Sequence, residues 1–230
     1  MVRALACACA CLGTGAADAA QITQITDAEL AAMAVEKAFV AEARMGNRSA
    51  RNGDWELGLW SPERVADQAD FGWASGEAVD FALTWDAGVE EVRFSLGRGA
   101  DRRTVQAAEL DLVGGLAVRL ASYREGSTGV LDTLMLNGVA IDQPLQVVGG
   151  TAMWLVGDTA LQDGFTLSGR ATFAWAPGDA PRGSQSAFQV KALVADQPPA
   201  VAVPTPTAAS LALAALGGLA LRRPRASEPG

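Results

Sequence analysis

Phe165-Thr166-Leu167-Ser168-Gly169-Arg170-Ala171-Thr172-Phe173-Ala174-Trp175 decides the fold class. Phe165, Leu167, Gly169, Ala171, Phe173 and Trp175 alternate with Thr166, Ser168, Arg170, Thr172 and Ala174. A repeat of two puts one set of side chains on one face of an extended strand. The same repeat returns at Val79, Phe81, Leu83 and Trp85, at Val92, Phe94 and Leu96, at Leu116, Val118 and Leu120, and at Phe188, Val190 and Ala192. Turn residues separate the runs at intervals of roughly ten, which points to antiparallel packing rather than βαβ units. Asn137-Gly138 sits between residues 131–136 and 139–141, and both residues accept the positive φ of a type I′ hairpin turn. Residues 55–60 and 152–156 add two more strands. The expectation is an all-β protein: an antiparallel β-sandwich of jelly-roll-like form over residues 21–195.

One segment mixes signals. Thr26-Asp27-Ala28-Glu29 is a capping box, and residues 30–42 are rich in helix formers, so a short N-terminal helix is expected. Phe39, Ala41 and Ala43 also alternate with Val40, Glu42 and Arg44, so the end of this stretch also reads as a first strand.

The two ends read differently. Residues 1–20 carry Arg3, an apolar stretch and small residues ending in Ala19-Ala20, the layout of a secretory signal peptide. Cys7, Cys9 and Cys11 all lie inside it, so the mature domain has no cysteine and rests on its hydrophobic core. About 180 residues are enough for that. Residues 196–206 hold four prolines and read as an extended linker. Residues 207–230 contain an apolar run followed by Arg222, Arg223 and Arg225, and read as a hydrophobic helix stopped on its cytoplasmic side.

The tail from Val203 to Arg225 resembles the PEP-CTERM sorting signal of Gram-negative bacteria. Val203, Pro204 and Pro206 match its short motif around Thr205, and Arg222, Arg223 and Arg225 match its basic end. Thr205 stands where glutamate is usual. The resemblance implies export through the Sec machinery, a transient inner-membrane stage, and an exosortase-like enzyme as processing partner. A second resemblance covers roughly residues 36 to 195. Residues 39–44, 52–58, 79–86, 134–138 and 164–169 look like the choice-of-anchor W domain, a bacterial surface module. It implies an exported β domain and carries no catalytic residues to transfer.

Composition excludes several chemistries. The chain has no histidine, which removes His-based triads and His metal sites. It carries 18 basic and 26 acidic residues; without the end segments 14 remain against 24, a net charge near −10. That charge repels phosphate backbones and argues against nucleic acid as a partner. Carboxylate chemistry remains open, because glycoside hydrolysis needs two facing Asp or Glu side chains. Asp80 and Asp86 stand about 20 Å apart along one strand, too far to act together.

Two kinds of binding residue stand out. Asp158 and Asp163, in the loop of residues 157–164, offer oxygen ligands for calcium; otherwise the loop is a solvated connection. Trp55, Trp60 and Trp73 line a ligand groove or fill the sandwich; Trp85 and Trp175 fall on apolar faces and read as core. The function expected is a non-enzymatic surface or extracellular-matrix protein with adhesion or polysaccharide association as its role. The alternatives are an Asp/Glu-dependent carbohydrate-active enzyme and an uncleaved membrane-anchored structural protein.

Overall fold

A computed structural model describes residues 21–45, 56–62, 65–157 and 159–195. They form two antiparallel sheets packed face to face, a β-sandwich. The expected leader, linker and tail, with the whole 203–206 motif and the three terminal arginines, lie outside the described residues. Among the described residues, no helix is long and apolar enough to cross a membrane.

The strands are β1 (Gln21–Ile25), β2 (Lys37–Met45), β3 (Leu57–Trp60), β4 (Val65–Ala69), β5 (Ala78–Asp86), β6 (Glu91–Leu96), β7 (Arg103–Ala108), β8 (Val113–Ser122), β9 (Thr128–Leu136), β10 (Val139–Ile141), β11 (Leu145–Val148), β12 (Gly150–Gly157), β13 (Phe165–Ala174) and β14 (Ser186–Val194). One sheet runs β1-β12-β8-β14-β2-β3-β4. The other runs β10-β9-β13-β5-β6-β7, with β11 also paired to β9. Pro144 falls in the break between β10 and β11, where a residue without an N–H interrupts the edge.

The topology is a jelly roll with flanking additions. Set aside β1, β3, β4, β6 and β7, and count β10 with β11 as one interrupted strand. The eight strands left then lie first-eighth-third-sixth in one sheet and second-seventh-fourth-fifth in the other. That order is two interleaved Greek keys, the jelly-roll arrangement.

The period-two faces meet between the sheets. Phe188 of β14 packs against Phe81 of β5 at 4.9 Å and against Phe94 of β6 at 5.7 Å between ring centroids. Phe39 of β2 meets Trp85 of β5 at 6.2 Å. These contacts cross from one sheet to the other, so the sheets interdigitate. At one side, Gln106 N of β7 donates to the Asp67 carboxylate of β4 at 3.0 Å, which ties the two sheets' edge strands together.

The N-terminal segment resolves into both readings. Helix α1 (Asp27–Ala32) starts on Thr26 with both arms of the capping box formed. Ala34 then takes a positive φ of 51°, and the helix formers beyond it go into β2 instead. Tertiary burial decides this, since Ala38, Phe39, Ala41 and Ala43 all enter the core. Leu30 of α1 covers the outer face of the first sheet, over Ala117, Met153, Leu155 and Leu193. Strand β8 is therefore buried on both faces. The hairpin turn forms as expected: Asn137 and Gly138 have φ of 51° and 80°. Its Oδ1 accepts from Thr166 N at 2.8 Å, which fastens the turn to β13.

Candidate functional site

A cleft of about 540 Å³ opens at one end of the sandwich, within the range of small-molecule and cofactor sites. Three chain segments meet there: Val35 and Glu36 before β2 with Lys37, Phe39 and Val40 of β2 itself; Trp60, Ser61 and Pro62 at the end of β3; and Asp111 before β8. The end of β14 holds two of these connections in place. Val194 N donates to Glu36 O at 3.1 Å, and Ala195 N donates to Leu112 O at 3.0 Å. Gly114 makes the second bond possible, because a Cβ there would stand 2.6 Å from Ala195 Cα.

Trp60 reaches the cleft through strand alternation. Leu57 and Leu59 point into the core, so Gly58 and Trp60 face outward, with Trp60 paired in register to Val40. The Arg44 guanidinium lies over the Trp60 ring, 5.7 Å from its centroid, an attraction of about 0.5–2 kcal/mol depending on desolvation. Glu36, Lys37 and Asp111 are all exposed at the cleft's rim. The rim therefore holds two carboxylates and one ammonium around an aromatic wall.

Beside the cleft, Glu42 of β2 is nearly covered, at 8% exposure. Gln189 Nε2 donates to its Oε1 at 3.0 Å. Burial raises its carboxyl above the ordinary range, against the pull of Arg44, the Gln189 bond, Arg119 and Lys191. A carboxyl raised in the folded state favours folding when protonated. That contribution is present below the unfolded pKa and is lost as pH rises through the folded value. Glu42→Gln keeps an acceptor for Gln189 and removes the ionisation. The variant should therefore melt higher than the wild type near pH 8, and the gap should close near pH 4. A gap that stays constant with pH, or reverses, would contradict this.

The tryptophans marked in the sequence separate. Trp73 packs edge-on against Phe173 at 5.3 Å and Phe71 at 5.8 Å, and its Nε1 donates to Glu77 O at 3.1 Å. It is not among the residues lining the Trp60 cleft. Trp55 lies outside the described residues. Trp85 is in the core and Trp175 is packed against it. Of the two calcium candidates, Asp163 is exposed at the end of a short 3-10 turn, and Asp158 is outside the described residues. Among the described residues, no group of three or more acidic, His or Cys side chains is placed to hold a metal ion. Asp80 is paired with Arg98, whose hydrogen bond holds its carboxyl below the ordinary range.

Glu36, Lys37, Ser61 and Asp111 were not marked in the sequence. The neighbours Glu36 and Lys37, then Ser61, then Asp111 come from three places far apart in the chain, and no local spacing ties these three places together. The class defined by this geometry is an all-β jelly-roll sandwich with an aromatic-walled, acid-rimmed cleft at one end. No known protein-family model matches the chain, and no match was found among curated proteins.

Proposed function

We propose that the protein is an exported, non-enzymatic β-sandwich that holds polysaccharide in the Trp60 cleft at the cell surface or in the extracellular matrix. The observation that carries this reading is Trp60 lining a cleft whose rim is Glu36, Lys37 and Asp111. An indole offers a flat apolar face to the C–H side of a pyranose, and the charged rim offers partners to its hydroxyls. The sorting layout from Val203 to Arg225 supports the destination. Mass spectrometry of the product recovered from outside the cell tests that part; a chain still ending at Gly230 would remove the processing step.

The cleft is tested by affinity electrophoresis of the full chain through polysaccharide gels. Trp60→Ala should weaken retention by at least about tenfold, or 1.4 kcal/mol. Equal retention of wild type and variant would defeat the reading.

Glu36 and Asp111 in one cleft beside tryptophan favour a second reading, a carbohydrate-active enzyme. Against it, both carboxyls are exposed, and the covered carboxyl with a raised pKa, Glu42, does not line the cleft. A general acid is one that its surroundings keep protonated. Release of reducing ends by the wild type, abolished in both Glu36→Gln and Asp111→Asn, would establish the enzyme instead.

A further inference from the structure

We infer that the Trp60 cleft takes a neutral hexose polymer and rejects acidic polysaccharides. The inference rests on the reading of this cleft as a polysaccharide site, and adds the class of polymer.

Three observations carry it. First, the charged groups at the cleft are Glu36, Asp111 and Lys37, two carboxylates to one ammonium, all exposed where an incoming chain must pass. A uronate or phosphate polymer repeats negative charge along its length and would meet like charge at this rim. Second, the field of the whole domain has the same sign, with 14 basic against 24 acidic residues outside the two ends. Long-range steering therefore disfavours an anionic polymer before contact. Third, the cation on the Trp60 ring is already engaged. Arg44 lies over the indole, in the field of the Glu42 and Glu56 carboxylates, so it does not supply a bare positive site for a uronate.

A neutral hexose fits the same groups. Ionised carboxylates only accept hydrogen bonds, and sugar hydroxyls donate them. Such charge-assisted bonds are the stronger kind. The indole takes the apolar face of the ring, which carries no charge to be desolvated.

The test is calorimetric titration of the full chain in detergent with three probes: a neutral glucan oligomer, an alginate oligomer and a chitosan oligomer. Each is run between about 20 mM and 0.5 M salt, which shortens the screening length from roughly 20 Å to 4 Å. The glucan should bind with affinity constant to within about threefold across that range, since no ligand charge is screened. Alginate should bind at least about tenfold more weakly. The double variant Glu36→Gln/Asp111→Asn, changed only at exposed positions, should lose glucan affinity and gain alginate affinity.

Alginate binding equal to or tighter than glucan, and lost in Trp60→Ala, would overturn the neutral class while leaving the site in place. Chitosan binding alone, falling steeply with salt, would do the same. Binding of none of the three, or glucan binding unchanged in both Trp60→Ala and the double variant, would overturn the site and the inference together.

Discussion

Replacing Trp85 with alanine should lower the free energy of unfolding by about 3–5 kcal/mol, a large share of what a domain this size has to spare. Trp85 is 1% exposed. It stands on β5 opposite Val92 and Phe165, and crosses the sandwich to meet Phe39 of β2. Removing it leaves a void between two sheets whose backbones are fixed by their ladders, so collapse into the gap is limited. Its Nε1 is buried with no hydrogen-bond partner. An unmet buried donor costs about 1–3 kcal/mol. Trp85→Phe removes that cost while keeping one ring, so the relief offsets part of the smaller void it leaves, and the variant should be clearly less damaged than Trp85→Ala. Urea unfolding of both variants at unchanged m-value checks the pair. An alanine variant within about 1 kcal/mol of the wild type, or a phenylalanine variant as damaged as alanine, would refute the packing account. The effect should also reach the cleft, because Phe39 lines it and rests on Trp85.

The strands legible in the sequence are those with one clean buried face. β5 reads buried-intermediate in strict alternation from Val79 to Trp85, and its run of apolar residues shows it directly. β13 and β14 were legible for the same reason. The strands that sequence reading left out are β1, β4, β7 and β11, of which β11 does alternate buried and exposed but over only four residues. β1 is an edge strand that buries only Ile25, and β7 is an edge strand that buries only Val105. A period of two cannot be read where a single residue turns inward. β4, at the far edge of its sheet, buries none of its residues fully. β8 shows the opposite difficulty. Its second face carries Ala117 and Ala121, small residues that look neutral in sequence, yet both are covered. Ala117 packs in the cluster around Leu30 of α1.

The cleft was legible only through Trp60. A tryptophan ending a strand of alternating residues signals an aromatic on one face, and that much is local. What surrounds it is not local. Glu36 and Asp111 lie 75 residues apart in the chain and reach the same end of the sandwich through backbone bonds to β14. Their meeting is a property of jelly-roll order, in which β14 lies between β2 and β8. Nothing in residue type or spacing anticipates it, since exposed acids are ordinary on a domain of this charge.

Gly169→Val should be among the most damaging single substitutions in the second sheet, costing about 3 kcal/mol or more. By strand propensity alone the change is favourable, since valine is a good strand former and glycine a poor one, a difference within about 1 kcal/mol. Contact geometry opposes it. The ladder between β13 and β9 shifts register between Ser168 and Arg170, where an extra residue on β9 turns Leu134 inward. Leu134 fills the space over Gly169. A Cβ at 169 would stand 2.7 Å from Leu134 Cδ2, 3.0 Å from Asp132 O and 3.1 Å from Phe81 Cε1. The leucine methyl can swing away, but the Asp132 carbonyl belongs to the ladder and cannot move without breaking it. Gly169→Ala should therefore already cost about 1–3 kcal/mol, and valine's two further methyls should add to it. Trimming the movable neighbour tests the cause: Gly169→Ala combined with Leu134→Ala should cost less than the sum of the two single changes. Thermal unfolding of the four proteins measures this coupling. Strict additivity, or a valine variant that melts with the wild type, would mean that the bulge yields and that the close approach at Gly169 does not hold the sheet.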